Sequence, residues 1–114
     1  LTRPPRRGEV WLVNLSPTAG HEQAGRRPAV VISEDVFNSG PADLVILLPI
    51  TSTLRPIPSQ VQLSPPDGGL DRESAVLCEA VRSVARRRLV RRLGAVSAAR
   101  LGLVEDALRI LLRL

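Results

Sequence analysis

The sequence contains no lysine, methionine or tyrosine, and it has one histidine (His21), one cysteine (Cys78), one tryptophan (Trp11) and one phenylalanine (Phe37). Aromatics make up 2% of its 114 residues. That scarcity argues against a stacking platform of the kind that carries most sequence-tolerant single-strand binding. A single cysteine excludes an intramolecular disulfide and suits a reducing, cytoplasmic setting. One histidine and one cysteine far apart in sequence cannot supply the ligands a zinc site wants. No paired carboxylate spacing suggests a magnesium cluster, and no GxGxxG or Walker spacing is present, so neither a metal nor a cofactor is expected. The longest apolar run, 44–50, contains Pro49 and is far too short to span a bilayer, so no membrane partner is expected. The first seven residues are basic without the apolar stretch of a secretory signal. With no methionine in the chain, translation is expected to begin upstream of Leu1.

What is present in quantity is arginine. All 16 basic residues are arginines, set against 11 acidic ones for a net charge of +5. An excess of fixed positive charge favours polyanions or acidic protein partners. Hydrophobic residues at 44% are enough to fill a modest core, and the length fits one domain spanning 1–114.

The pattern along the chain is mainly that of short strands. Residues 9–15 are β-rich and nearly all apolar, as a strand buried on both sides should be. A loop over 16–27 follows, broken by Pro17, Gly20 and Gly25. A connection of that length in a small domain is usually functional or disordered. Further strands are predicted over 29–33, 43–49, 60–64 and 74–81, with a helical turn over 34–39 capped by Ser33. Turns fall at 55–59 and 65–69. From Ser97 the period becomes helical, with Leu101, Val104, Leu108 and Leu111 forming a core-facing stripe. Five or more short strands followed by one helix predict a mainly β fold, a curled barrel capped by the C-terminal helix. The arginine run 86–92 reads as a solvated face, or alternatively as a surface for an acidic partner or for steering RNA. Cys78 reads as inert core.

The loop and the strand after it hold the most telling residues. Pro28 pushes the residue before it into an extended backbone, so Arg27 is expected to project from a constrained hinge at a strand start. A guanidinium held there suits phosphate, because its flat fork of donors matches two phosphate oxygens at once. Taken alone, Arg27 has the plainer meaning of a surface arginine beside a strand. Its company changes that: His21 and Glu22 in the loop, the hydroxyl cluster Thr51-Ser52-Thr53, and Glu79 with Arg82.

Taken together these blocks resemble the MazF/PemK family of toxin endoribonucleases. The resemblance rests on Arg7-Gly8-Glu9-Val10-Trp11, on 17–31, on Pro49-Ile50-Thr51-Ser52, on 77–84, and on 103–108 in the closing helix. It implies an SH3-like barrel of five to seven strands and a homodimer that cleaves single-stranded RNA at short motifs without metal. It also implies restraint by an acidic, partly disordered antitoxin. The family's catalytic arginine falls on Arg27 and its catalytic hydroxyl on Thr51. Some members also use the loop histidine or glutamate, here His21 and Glu22, and others an acid at the position of Glu79. Gln23, Arg26, Ser52, Thr53 and Arg82 are the accompanying candidates for RNA contact. The chain departs from the family at Ala80, where relatives commonly carry glutamine, and at Leu77, where one branch has arginine.

Elementary chemistry leads to the same place. A ribonuclease without metal can use the substrate's 2′-hydroxyl as nucleophile, which leaves DNA uncut. Arg27 suits stabilisation of the phosphorane but not proton transfer, because guanidinium hardly deprotonates. Thr51 can hold a phosphate oxygen. The proton acceptor is His21, Glu22 or Glu79, and the residues leave that choice open. A non-catalytic toxin of the same barrel that binds a protein such as DNA gyrase is the alternative reading. A plain nucleic-acid-binding barrel is a third, which the missing aromatics disfavour.

Overall fold

A computed structural model describes residues 3–16 and 25–114. Among the described residues there are seven strands: β1 (Glu9–Asn14), β2 (Arg26–Val31), β3 (Leu44–Thr51), β4 (Gln60–Leu63), β5 (Ser74–Leu77), β6 (Arg82–Ala85) and β7 (Leu89–Ala95). A short helix, α1 (Asp35–Asn38), follows β2, and a longer one, α2 (Ala98–Leu112), ends the chain. All pairings are antiparallel, in the order β4-β5-β3-β2-β1-β7, with β6 also on β3. The mainly β fold with a C-terminal helix is therefore as expected.

Side chains alternate across a strand, and here both faces are buried. Trp11, Val13, Leu15, Ala29, Val31, Val45, Leu47, Val84 and Leu89 form one apolar cluster. Val10, Val30, Leu48 and Ile50, from the other face of β1, β2 and β3, join Val61, Leu63, Val76, Val104 and Leu108 in a second. The second cluster is where α2 docks, which fixes the helix against β4 and leaves its far end free of the core. Leu111 was expected in that core stripe, but it is 43% exposed, as the last helical turn runs past the sheet. No helix among the described residues is long and apolar enough to cross a membrane.

Several boundaries differ from expectation for local reasons. The strand expected over 74–81 stops at Leu77, a 3-10 turn spans Cys78–Ala80, and β6 starts at Arg82. Ser33 does not cap α1, whose N-cap is Glu34 without a side-chain cap bond. Instead, buried Ser33 hydrogen-bonds with Asn38 and accepts from Ile46 N at 3.0 Å, satisfying polar groups inside the fold. The arginine run is only partly a solvated face, because it builds a 3-10 turn and then β7. Arg86 donates to Asp43 Oδ1 at 2.6 Å, and Arg88 donates to the Asn14 carbonyl at 3.3 Å. Arg92 Nε reaches Glu9 Oε2 at 2.8 Å.

Glu9 is the polar anchor of the N-terminal edge. Its side chain is 6% exposed and receives Arg3, Arg92, the Arg6 backbone N–H (2.7 Å) and Trp11 Nε1 (3.2 Å). Burial pushes its pKa up, but these donors win and lower it to about 2. Asp67 accepts from both the backbone N–H and the hydroxyl of Ser97 at 2.8 Å. Ser97 in turn caps α2 by accepting from Arg100 N.

Candidate active site

Two prolines open the site. On β3, Pro49 falls in the gap between two partners: β6 pairs with Leu44 to Leu47, and β5 pairs with Ile50 and Thr51. No backbone donor is needed on that side there, which is how a central strand tolerates proline. On β2, Pro28 falls where the β2–β3 ladder has just ended at Ala29–Pro49. Beyond that point the two strand ends frame a cleft of about 240 Å³. Continuing the register two residues places Arg27 across from Thr51, and residues opposite each other in an antiparallel pair share a face.

Arg26, Arg27 and Pro28 line this cleft from β2, with Ile50 and Thr51 from β3 and Ser52 just beyond it. Leu70, Asp71, Arg72 and Ser74 close it from the segment entering β5. Arg27 is thus a strand residue, paired with Val13 of β1, and not the hinge residue that Pro28 led us to expect. The constraint on it is stronger for that reason, since a ladder position fixes both backbone angles. Thr51 is 7% exposed, and its Oγ1 accepts from Thr53 N at 3.1 Å. That bond orients the hydroxyl and leaves its hydrogen to donate toward the cleft. Thr53 contributes to the site through its backbone, not as a lining side chain.

The remaining candidates lie elsewhere or outside the described residues. His21, Glu22 and Gln23 belong to the latter group. The ends of their loop are clamped together: Gly25 N donates to Ser16 Oγ at 2.8 Å and Leu15 N to the Gly25 carbonyl at 2.9 Å. The loop therefore leaves and re-enters the fold directly beside Arg26. Glu79 does not line the cleft. It accepts from Ser59 Oγ at 2.9 Å and Gln60 Nε2 at 2.8 Å. Burial raises its pKa, but the hydrogen bonds of Gln60, of its own backbone and of Ser59 outweigh that and hold the carboxyl below its ordinary value. Arg82 sits on β6 opposite Leu47 and is not among the cleft residues. Cys78 is buried, its thiol pushed up to about 11 mainly by burial and secondarily by Glu79, which suits core packing and not nucleophilic work. Among the described residues, no three histidine, cysteine or carboxylate side chains gather as a metal would require.

The PemK-like, MazF-like toxins of type II toxin–antitoxin systems share a sequence profile that matches residues 6–112. The chain belongs to this family. It is 40% identical over 110 residues to endoribonuclease MazF9 of Mycobacterium tuberculosis, covering 92% of this chain and 93% of that protein. Its fold matches crystalline MazF of Deinococcus radiodurans with a TM-score of 0.86 at 35% identity, over 97% of this chain and 98% of that one. A mycobacterial endoribonuclease solved in complex with its cognate antitoxin matches with a TM-score of 0.81 at 26% identity, over 96% of each chain. Within this MazF-like fold, Asp71, Arg72 and Ser74 are the cleft residues that sequence reasoning missed. Asp71-Arg72 follows a Pro-Gly-rich turn and carries no period or spacing that would single it out. Only the pairing of β5 with β3 brings it to the cleft.

Proposed function

We propose that the chain is a toxin endoribonuclease that cuts single-stranded RNA, mRNA above all, at the cleft between the ends of β2 and β3. The observation that carries this is the placement of Arg27 and Thr51 on adjoining strand ends in one cleft. In this reaction the 2′-oxygen attacks the adjacent phosphorus and the P–O5′ bond breaks. The products are a 2′,3′-cyclic phosphate and a 5′-hydroxyl end. The proton of the 2′-hydroxyl passes to a base, and a proton is returned to the departing 5′-oxygen.

Arg27 offers two N–H donors to the non-bridging oxygens as their charge rises, the kind of fixed electrostatic contact that accelerates most when it is preorganised. Thr51 donates its hydroxyl hydrogen to a phosphate oxygen and so fixes the phosphorus relative to Arg27. Arg26 and Ser52 hold the flanking backbone. We assign the proton acceptor to the loop of His21 and Glu22, which begins and ends beside Arg26. Glu79 is engaged by Ser59 and Gln60, away from the cleft lining. The resulting loss of mRNA would stop translation and growth in the cytoplasm. A cognate acidic antitoxin, suited to a +5 chain, would restrain the enzyme, and a homodimer is the assembly in which it would act.

The test is incubation of the purified protein with a long single-stranded RNA in EDTA, with chemical analysis of the ends. Discrete cuts ending in cyclic phosphate and 5′-hydroxyl are expected. Intact RNA, in cells that the protein still poisons, would remove the ribonuclease reading.

A further inference from the structure

The cleft has a third wall that the cleavage chemistry leaves without a task. β3 lies between β2 and β5 in the sheet, so Arg27 and Thr51 occupy one side of the cleft and the segment entering β5 the other. On that other side stand a carboxylate and a guanidinium, Asp71 and Arg72, 3.6 Å apart and with side chains 92% and 71% exposed. An exposed pair of this kind adds little to folding. Its neighbours, by contrast, are anchored to the rest of the fold.

Leu70 packs against the second apolar cluster. Gly69 lies so close to β7 that an added Cβ would meet the Leu93 carbonyl at 2.0 Å. Glu73 accepts from Ser64 Oγ at 2.8 Å and Gln62 Nε2 at 3.4 Å. Ser74 is buried and donates its hydroxyl to the Arg72 carbonyl at 3.0 Å. The result is a backbone anchored on both flanks that presents one carboxylate and one guanidinium, paired with each other, to the cleft. Fixed geometry with exposed functional groups is what recognition requires, since little ordering remains to be paid on binding.

We propose that Asp71 and Arg72 read the nucleobase beside the scissile phosphate and so determine which sequences are cut. The inference rests on the cleavage reading above and names a specificity role for residues outside its chemistry. The physical reason is the pairing of one acceptor-only group with one donor-only group. A carboxylate accepts from a ring N–H or exocyclic amine, and a guanidinium donates to a base carbonyl or ring nitrogen. Every base in RNA displays a donor next to an acceptor on its Watson–Crick edge, but at different positions, so a fixed pair favours one arrangement over the others. With aromatics at 2% of the chain and none lining the cleft, selection there falls to hydrogen bonding, not to stacking. Asp71 also repels phosphate, which argues against a wall that merely attracts the backbone.

The experiment uses the full chain and synthetic single-stranded RNAs that vary one base at a time on either side of a mapped cut. For the wild-type protein, one of these positions is expected to show a strong preference. Arg72→Ala is expected to shrink the ratio between best and worst base there by about 5- to 150-fold, the worth of one bidentate base contact. Asp71→Asn, which adds a donor to an acceptor, is expected to change which base is preferred. Asp71→Ala and Arg72→Gln serve as second variants, and thermal melting checks that each has folded. Unchanged ratios, or equal slowing of every RNA, would overturn the proposal while leaving the nuclease reading intact. A wild-type protein that cuts none of the RNAs would instead overturn the nuclease reading, and this inference with it.

Discussion

Arg27 and Thr51 approach one cleft from adjoining strands, and the β2–β3 register carried two residues past Ala29–Pro49 sets them across from each other. Both side chains are placed by strand pairing. Arg27 is in the β1–β2 ladder and Thr51 in the β3–β5 ladder.

Arg27→Ala is expected to lower the cleavage rate by about 100- to 1000-fold, the cost of one preorganised electrostatic contact. Arg27→Lys should recover only part of this, because an ammonium cannot span two phosphate oxygens as a guanidinium does. Single-turnover kinetics on a defined RNA, with melting curves to show that the fold persists, measure both.

Thr51→Ala should slow cleavage by about 10- to 150-fold, the range for a hydrogen bond to a charged group. Thr51→Ser keeps the hydroxyl and should stay near wild type. Equal losses in the two variants would assign Thr51 to packing alone.

Glu9 makes stability depend on acid. Its pKa falls from 4.5 unfolded to about 2 folded, so the folded state binds the proton less readily. Stability from this group is complete above about pH 4.5 and is lost as pH falls through about 2, amounting to about 3 kcal/mol. Trp11 donates to Glu9 and is the sole tryptophan, so its fluorescence during urea unfolding at several pH values reports the effect where it arises. Glu9→Gln should flatten that acid limb.

Gly69→Ala should destabilise by more than about 4 kcal/mol. Its φ of 71° disfavours any side chain, and the new Cβ would overlap the Leu93 carbonyl at 2.0 Å. Loss of soluble protein, or a collapse in the urea midpoint, is the expected readout. Gly102→Ala, with open space around it, should leave stability almost untouched.

Most of the framework could be read from residue patterns. Apolar runs marked β1, β3 and β5, and the change of period at Ser97 marked the N-cap of α2, because each signal is local. What could not be read depends on distant partners. Pro28 and Pro49 looked like strand ends, whereas both sit inside strands at points where the ladder needs no donor. The arginine run hid β7, since Arg92 finds Glu9 eighty-three residues away. The Leu111 error has the same origin: a helical period does not tell where the sheet beneath it stops. At the site, Arg27 stood out through its chemistry and Thr51 through the family resemblance, while Asp71 and Arg72 reach the cleft only through strand pairing.

The most direct test of the chemistry is cleavage of two RNAs that differ in one oxygen, the 2′-hydroxyl of the nucleotide preceding the cut. If that hydroxyl is the nucleophile and Arg27 stabilises the charge that its attack builds on the phosphate oxygens, the 2′-deoxy RNA stays whole at that bond while the all-ribose RNA is cut. Equal cutting of both would mean that water or another group attacks, and that the role given to Arg27 and Thr51 is wrong.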